Sequence, residues 1–161
     1  MEFGAWKFII LVSILKTHFS ILKMIEIEKH LEQRNVRPTA MRILVYKFLQ
    51  EKEVAVTLAD IEQAFEKSDR TTLYRTIKTF EENALVHQIE DGTGVAKYAL
   101  CAEGCNCEVD TDLHLHFHCN SCGETQCLTE RKIPHINLPK GFTASDVNLV
   151  VKGTCSKCNS L

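Results

Sequence analysis

Two Cys-x-x-Cys pairs carry the clearest chemistry in this chain: Cys119-Asn120-Ser121-Cys122 and Cys155-Ser156-Lys157-Cys158. A C-x-x-C turn lets two thiolates converge on one soft cation at tetrahedral angles, and two such turns complete a closed four-sulfur shell that suits zinc. Gly123, directly after the first pair, fits such a turn. The 32 residues between Cys122 and Cys155 exceed the spacing of a simple zinc ribbon, so a small subdomain must fold between the two halves. A disulfide pair would need an oxidising compartment, and a thioredoxin-like redox motif needs only one pair in a βαβ setting. A structural zinc site at Cys119, Cys122, Cys155 and Cys158 is the expectation.

Directly before the first pair, Leu113 to Cys119 alternates with period two and predicts a strand. His114, His116 and His118 share one face, and Leu115, Phe117 and Cys119 the other. Three imidazoles on one strand face make a second surface able to take a metal.

The elements that must position these groups fit within 161 residues, enough for one domain or two small ones. With 45% hydrophobic and 25% charged residues the composition is that of a soluble protein, and a net charge of −2 does not announce a nucleic-acid binder. Eight cysteines without a convincing secretory signal point to a reducing compartment and metal ligation. Residues 1–23 stand apart. Phe8 to Leu15 is an apolar run between Lys7 and Lys16, too short to span a bilayer and followed by no small-residue cleavage site. These residues read as an extension outside the fold, with a membrane anchor as the weaker alternative.

From Met24 the chain reads as short, well-punctuated helices. Ile25, Ile27, Leu31 and Val36 predict a first helix ending near Arg34-Asn35. Thr39 can cap a second, with Ile43, Leu44, Tyr46, Phe48 and Leu49 apolar. Thr57-Leu58-Ala59-Asp60 fits a capping box opening a third. Ser68 can cap a fourth running from Asp69 to about Asn83, with Leu73, Ile77 and Phe80 inward. Leu85–Ile89 and Val95–Leu100 then predict two strands around Asp91-Gly92-Thr93-Gly94. Helices followed by a glycine-tipped hairpin make a winged helix-turn-helix over residues 24–100, with the fourth helix as reader. That helix carries Arg70, Thr71, Thr72, Tyr74, Arg75, Thr76 and Lys78, types able to reach phosphates and base edges in a major groove. A merely solvated helix face would look the same. Residues 24–100 hold 11 Lys+Arg against 13 Asp+Glu, so DNA binding would rest on local placement and on dimerisation.

Residues 101–112, acidic and rich in cysteine (Cys101, Cys105, Cys107), read as a hinge. Residues 113–161 follow as strand, turn, strand (Thr125 to Thr129), a connector with Pro134, Pro139 and Gly141, and a last strand with Val147, Leu149 and Val151 alternating. Zinc would hold much of this small part together, because metal-binding free energy is also folding free energy.

Taken in order, Arg37-Pro38-Thr39-Ala40-Met41-Arg42, Thr72-Leu73-Tyr74-Arg75, His114-x-His116-x-x-Cys119-x-x-Cys122-Gly123 and Cys155-x-x-Cys158 resemble the ferric uptake regulator family of metal-dependent repressors. The resemblance covers about Met24 to the C-terminus. It implies an α+β fold: an N-terminal winged helix and a small C-terminal α/β dimerisation domain stabilised by the four-cysteine zinc. It implies a cytoplasmic homodimer on double-stranded operator DNA, with Arg37, Arg42, Thr72, Tyr74 and Arg75 at the DNA. No catalytic role or membrane association follows. It also implies a second, regulatory metal at the hinge.

Departures from the family pattern bear on that metal. Iron-sensing members resemble each other in a histidine before the third helix and an acidic residue on the second wing strand, where this chain has Ala55 and Ala99. Zinc-sensing members are matched at His87 and Cys101. The resemblance therefore implies a regulatory set of His87, Cys101, His114 and His116, with a further family ligand falling near Cys127. Nitrogen and sulfur donors favour zinc over ferrous iron. The expected function is a zinc-sensing repressor of metal-uptake genes, with an iron- or peroxide-sensing member as the alternative. Two readings from other classes remain. A zinc-ribbon interaction module would ignore operator DNA. A zinc deaminase would want His-x-Glu where this chain has His114-Leu115-His116.

Overall fold

The computed structural model describes residues 18, 21–101, 114–132, 137–144 and 147–160, so all but Cys101 of the expected hinge lies outside the described residues. The first helix, α1, spans residues 21–33 and so begins before Met24, drawing the end of the expected extension into the helix. Its apolar residues up to Ile25 are exposed; Ile27 and Leu31 turn inward. Asn35, at φ 57°, ends it in the left-handed conformation, and Val36 N–H closes back on Leu31 O at 2.9 Å.

Helix α2 (Ala40–Gln50) is capped by Thr39, whose hydroxyl accepts from Arg42 N–H. Its buried face is Ile43, Val45, Tyr46 and Leu49; Leu44, also apolar, is 49% exposed. Helical periodicity decides this, because position 45 shares a face with 49 and position 44 does not. A two-residue strand, β1 (Val56–Thr57), leads into α3 (Leu58–Ala64) through the expected capping box: Thr57 Oγ1 accepts from Asp60 N–H at 3.1 Å, and Asp60 Oδ2 from Thr57 N–H at 2.7 Å. Helix α4 (Arg70–Glu82) is capped by Asp69 rather than by Ser68. A carboxylate bonds the Thr72 N–H at 3.0 Å and also meets the positive end of the helix dipole. Strands β2 (Val86–Ile89) and β3 (Lys97–Leu100) pair antiparallel, and β1 adds to β3, giving the order β1-β3-β2. The wing is thus shorter than expected; Val95 is exposed outside β3.

These elements share one core. Leu31, Val45, Ile61, Leu73, Ile77 and Phe80 are fully buried, and Phe80 meets Tyr46 edge to face at 6.2 Å. The second sheet, β4 (His114–Cys119), β5 (Thr125–Lys132) and β6 (Val150–Gly153), has the order β5-β4-β6, with β4 antiparallel to β5 and parallel to β6. β5 runs past the expected end at Thr129, and β6 shortens the predicted last strand to four residues. A one-turn helix, α5 (Ser156–Asn159), closes the described chain and was not expected from the sequence. A Cβ on Gly153 would stand 3.2 Å from Phe117 Cζ, so a larger residue there would require the ring to shift. The molecule is therefore α+β, a winged helix joined to a smaller sheet. The two parts differ in what fills them. From residue 114 on, the buried described residues are Cys119, Cys155, His116, His118 and Thr125, with no large aliphatic side chain among them.

Phe80→Ala should remove about 3–5 kcal/mol from the stability of the helical part. Thr57→Ala should remove about 1 kcal/mol. Urea titrations followed by circular dichroism check both, with zinc present so that the C-terminal part is held constant.

Candidate metal centres and DNA-reading helix

The two C-x-x-C pairs meet. The Sγ atoms of Cys119, Cys122, Cys155 and Cys158 all lie within 4.8 Å of one another. The first pair sits on the turn between β4 and β5, where Gly123 takes φ 75° and its N–H bonds Cys119 O at 2.9 Å. Asn120 N–H bonds Gly153 O at 2.7 Å, tying that turn to the end of β6, which delivers Cys155 at the start of α5. Cys155 N–H points at Cys119 Sγ at 3.3 Å. Backbone N–H groups of Cys122 and Cys155 draw the Cys119 thiol down to about 6. The Cys158 thiol is pushed up to about 12 by its hydrogen bond with Cys155 and by burial. One thiolate thus forms readily and raises the cost of the next, unless a dication joins them. A tetrahedral zinc with bonds of about 2.3 Å would hold sulfurs about 3.8 Å apart. Cys122 and Cys155 stand at 3.9 Å. The donor set and spacing fit structural zinc.

The second cluster lies where the wing faces the second sheet. His87, on β2, brings Nε2 to 3.1 Å from His116 Nε2 and 3.4 Å from Cys127 Sγ. His114 packs edge-on to His87 with ring centroids 4.9 Å apart, and one donor atom from each of His87, His114, His116 and Cys127 lies within 4.8 Å of the others. In a tetrahedral zinc site two imidazole nitrogens would sit about 3.3 Å apart, and a nitrogen and a thiolate about 3.6 Å apart. The chemistry fits as well. Burial, helped by the neighbouring imidazoles, lowers His87 to about 3 and His116 to about 4, so both rings are neutral with lone pairs available. Burial pushes the Cys127 thiol up to about 12, and only a bound cation would make it a thiolate at neutral pH.

The structure brings together three of the four expected regulatory residues, His87, His114 and His116. Cys101 lies outside this four-atom group; its Sγ approaches the other ring nitrogen of His87, Nδ1, at 3.6 Å. Cys127 takes the fourth corner because β5 pairs it directly with His116. The family resemblance puts a further ligand near this position, and the strand register places it at Cys127. His118 shares the histidine face but turns to Thr125 and Asp91. Cys105 and Cys107 lie outside the described residues.

On α4, Arg70, Thr71, Thr72, Tyr74 and Arg75 are exposed along one side, opposite buried Leu73, Ile77 and Phe80. Arg70 pairs with Glu62 at 3.0 Å, and Thr72 helps close the Asp69 cap. Arg37 is exposed, while the Arg42 guanidinium donates to Arg37 O at 2.9 Å and to Thr79 Oγ1 at 3.4 Å, bracing α2 against α4. Thr71, Tyr74 and Arg75 are the side chains of this face with no hydrogen bond or ion pair among the described residues.

Replacing any one of Cys119, Cys122, Cys155 or Cys158 by serine should release one zinc equivalent per chain and unfold the second sheet, leaving the helical part folded. Metal analysis with hydrogen exchange resolved by segment checks this; retention of that zinc with a protected β4 would refute it.

A family model described as the ferric uptake regulator family matches residues 33–151. The zinc uptake regulation protein of Mycobacterium tuberculosis is 27% identical over 139 residues, covering 78% of this chain and 96% of its own. The ferric uptake regulation protein of Bacillus subtilis is 29% identical over 119 residues, 71% of this chain and 68% of its own. A solved zinc uptake regulator in complex with zinc and DNA superposes with a TM-score of 0.62 over 85% of this chain and 93% of its own, at 22% identity, a likeness of fold. With the model spanning well over half of its length, the chain belongs to the ferric uptake regulator family.

Proposed function

We propose that this protein is a metal-responsive transcriptional repressor that binds operator DNA as a homodimer, with zinc as the sensed metal. One observation carries the reading. The second donor cluster is shared between two parts of the chain, His87 from the wing and His114, His116 and Cys127 from the second sheet. A cation held there would join the reader-bearing part to the part with the structural zinc. In a dimer this would set the separation of the two α4 helices, and operator half-sites have a fixed spacing. Metal would then act by shifting a population toward the binding-competent arrangement.

Three imidazoles and a thiol support zinc rather than manganous or ferrous ion, which bind carboxylate-rich sets more readily. The matched relative from Mycobacterium tuberculosis is a zinc uptake regulation protein. The dimer is supported by the exposed apolar side chains of the C-terminal part, Leu138, Phe142, Leu149 and Val151, the last on edge strand β6. Among the described residues no helix is long and apolar enough to cross a membrane. A cytoplasmic location belongs to the same proposal, because the thiols must stay reduced to serve as ligands.

Metal-stripped protein, reloaded with one zinc per chain at the four cysteines, should bind an operator duplex selected in vitro only when further zinc is added. Fluorescence anisotropy with zinc, ferrous and manganous ions compared checks this. A response to ferrous ion and none to zinc would move the protein to the iron-sensing class, and indifference of DNA binding to every metal would sink the proposal. Cys127→Ser should raise the zinc concentration needed by at least tenfold, and more than Cys101→Ser does. Arg75→Ala should weaken binding across sequences and lower the salt slope by about one, whereas Tyr74→Ala should weaken it in a sequence-dependent way.

A further inference from the structure

Asp91 sits at the tip of the wing hairpin, where an aspartate before glycine would ordinarily be a solvated turn residue. Its side chain is instead fully buried. Oδ2 accepts from Lys97 Nζ at 2.8 Å and Thr125 Oγ1 at 2.6 Å, and lies 3.2 Å from His118 Nδ1. Oδ1 accepts from Thr93 N–H at 3.0 Å. Lys97 Nζ also donates to Gly123 O at 2.7 Å and Thr125 Oγ1 at 3.0 Å. The network crosses from the wing (Asp91, Thr93, Lys97) to the second sheet (His118, Thr125) and to the turn behind Cys122. Around it, Ala55 N–H bonds Thr125 O at 2.8 Å and Asn148 Nδ2 bonds Glu90 O at 2.9 Å.

Burying a charge pair is costly, and apolar side chains of similar volume often close a junction with equal stability. What a satisfied charge network adds is a single permitted geometry. We propose that Asp91, with Lys97 and His118, is a positioning latch: it fixes the wing on the second sheet at a point separate from the His87 cluster. His87 and Asp91 are four residues apart along one chain segment, up to about 13 Å if extended. His116 and His118, their partners, lie on one face of β4. One contact point is a pivot, free to rotate; two separated points define an orientation. The latch supplies the second point, so that metal at the His87 cluster produces one interdomain angle instead of a range. It also gives His118 a role distinct from that of its neighbours His114 and His116. This inference rests on the metal-responsive reading of the chain.

The test uses the full chain with its structural zinc. Asp91→Asn/Lys97→Met removes both buried charges together, so neither is left unpaired. His118→Leu removes one arm, and His118→Asn keeps a donor near the position of Nδ1. Each is titrated with zinc and followed by metal stoichiometry and small-angle scattering. The parent should contract when the second zinc binds. The double variant and His118→Leu should bind the same two zinc equivalents without contracting, and zinc should enhance their operator affinity at least tenfold less than it does the parent's. His118→Asn should behave as the parent, a rescue that loss of folding alone would not produce. If the double variant does not fold, His118→Leu decides. A double variant or His118→Leu that contracts like the parent overturns the latch, and so does a parent that does not contract. A contracting parent whose DNA binding ignores zinc would instead overturn the repressor reading and leave the latch standing.

Discussion

Four thiols within 4.8 Å of one another cannot all ionise unless a cation joins them, and the C-terminal part of this protein depends on that constraint. It has little else to close it. Its buried described side chains are cysteines, histidines and a threonine, while Leu115, Phe117, Leu128 and Val150 are only half-buried and Leu138, Phe142, Leu149 and Val151 are exposed. Area burial at about 25 cal/mol per Å² therefore stabilises this part weakly. Structural zinc, at about 10–16 kcal/mol of apparent binding free energy in small zinc domains, supplies a quantity of the right size. The helical part is the reverse case: fully buried Leu31, Val45, Ile61, Leu73, Ile77 and Phe80, drawn from α1 to α4, fill it.

This division puts the second donor cluster in a distinctive place. The wing is carried by a part with a large apolar core, and the second sheet by a part built around a four-cysteine group that could hold zinc. Between them the contacts are polar. His87 meets His116 and Cys127; Asp91 meets Thr125 and His118. A polar junction tolerates repositioning better than an interlocked hydrophobic one, because its groups can exchange partners with water. Asp91 sets a limit on that freedom. Burial alone would raise its pKa, but hydrogen bonds from Lys97, Thr125 and Thr93 outweigh this and hold it well below the usual carboxylate range. The carboxylate is thus charged, dry and satisfied, a state that few other arrangements of the two parts would reproduce.

Much of this was legible in the sequence, and the misses have physical causes. The capping box at Thr57, the strand at His114 to Cys119 and the pairing of the two C-x-x-C turns follow from local chemistry, and local chemistry is what a sequence shows. Residue type alone does not separate Leu44 from its apolar neighbours; only the angle around the helix turns it out. Asp69 caps in place of Ser68: both types are competent, and the carboxylate also meets the positive end of the helix dipole. Asp91 could not be placed by type, and Cys127 enters only through the resemblance, as lying near a family ligand. Their roles come from register, Cys127 through its pairing with His116 and Asp91 through contact with a strand more than twenty residues away. Register between distant strands is set by the whole sheet.

The charge distribution shows why geometry has to matter for a DNA-binding role. The chain is net negative, and several cations near α4 are already committed: Arg70 to Glu62, Lys78 to Glu81, Arg42 to backbone and hydroxyl oxygens. Non-specific attraction to phosphate grows with the number of cations available, and on α4 these pairings and the acidic neighbours reduce it. A single protomer would therefore hold DNA weakly and with a shallow dependence on salt. Two protomers joined rigidly at the right separation change this, since the second contact becomes intramolecular and its effective concentration rises steeply once the spacing is met. A protein with weak individual contacts is more sensitive to that spacing than one that grips phosphate strongly. The poverty of free charge on the reader face and the fixing of the wing at two separate points are then parts of one design, in which arrangement rather than attraction decides whether the operator is bound.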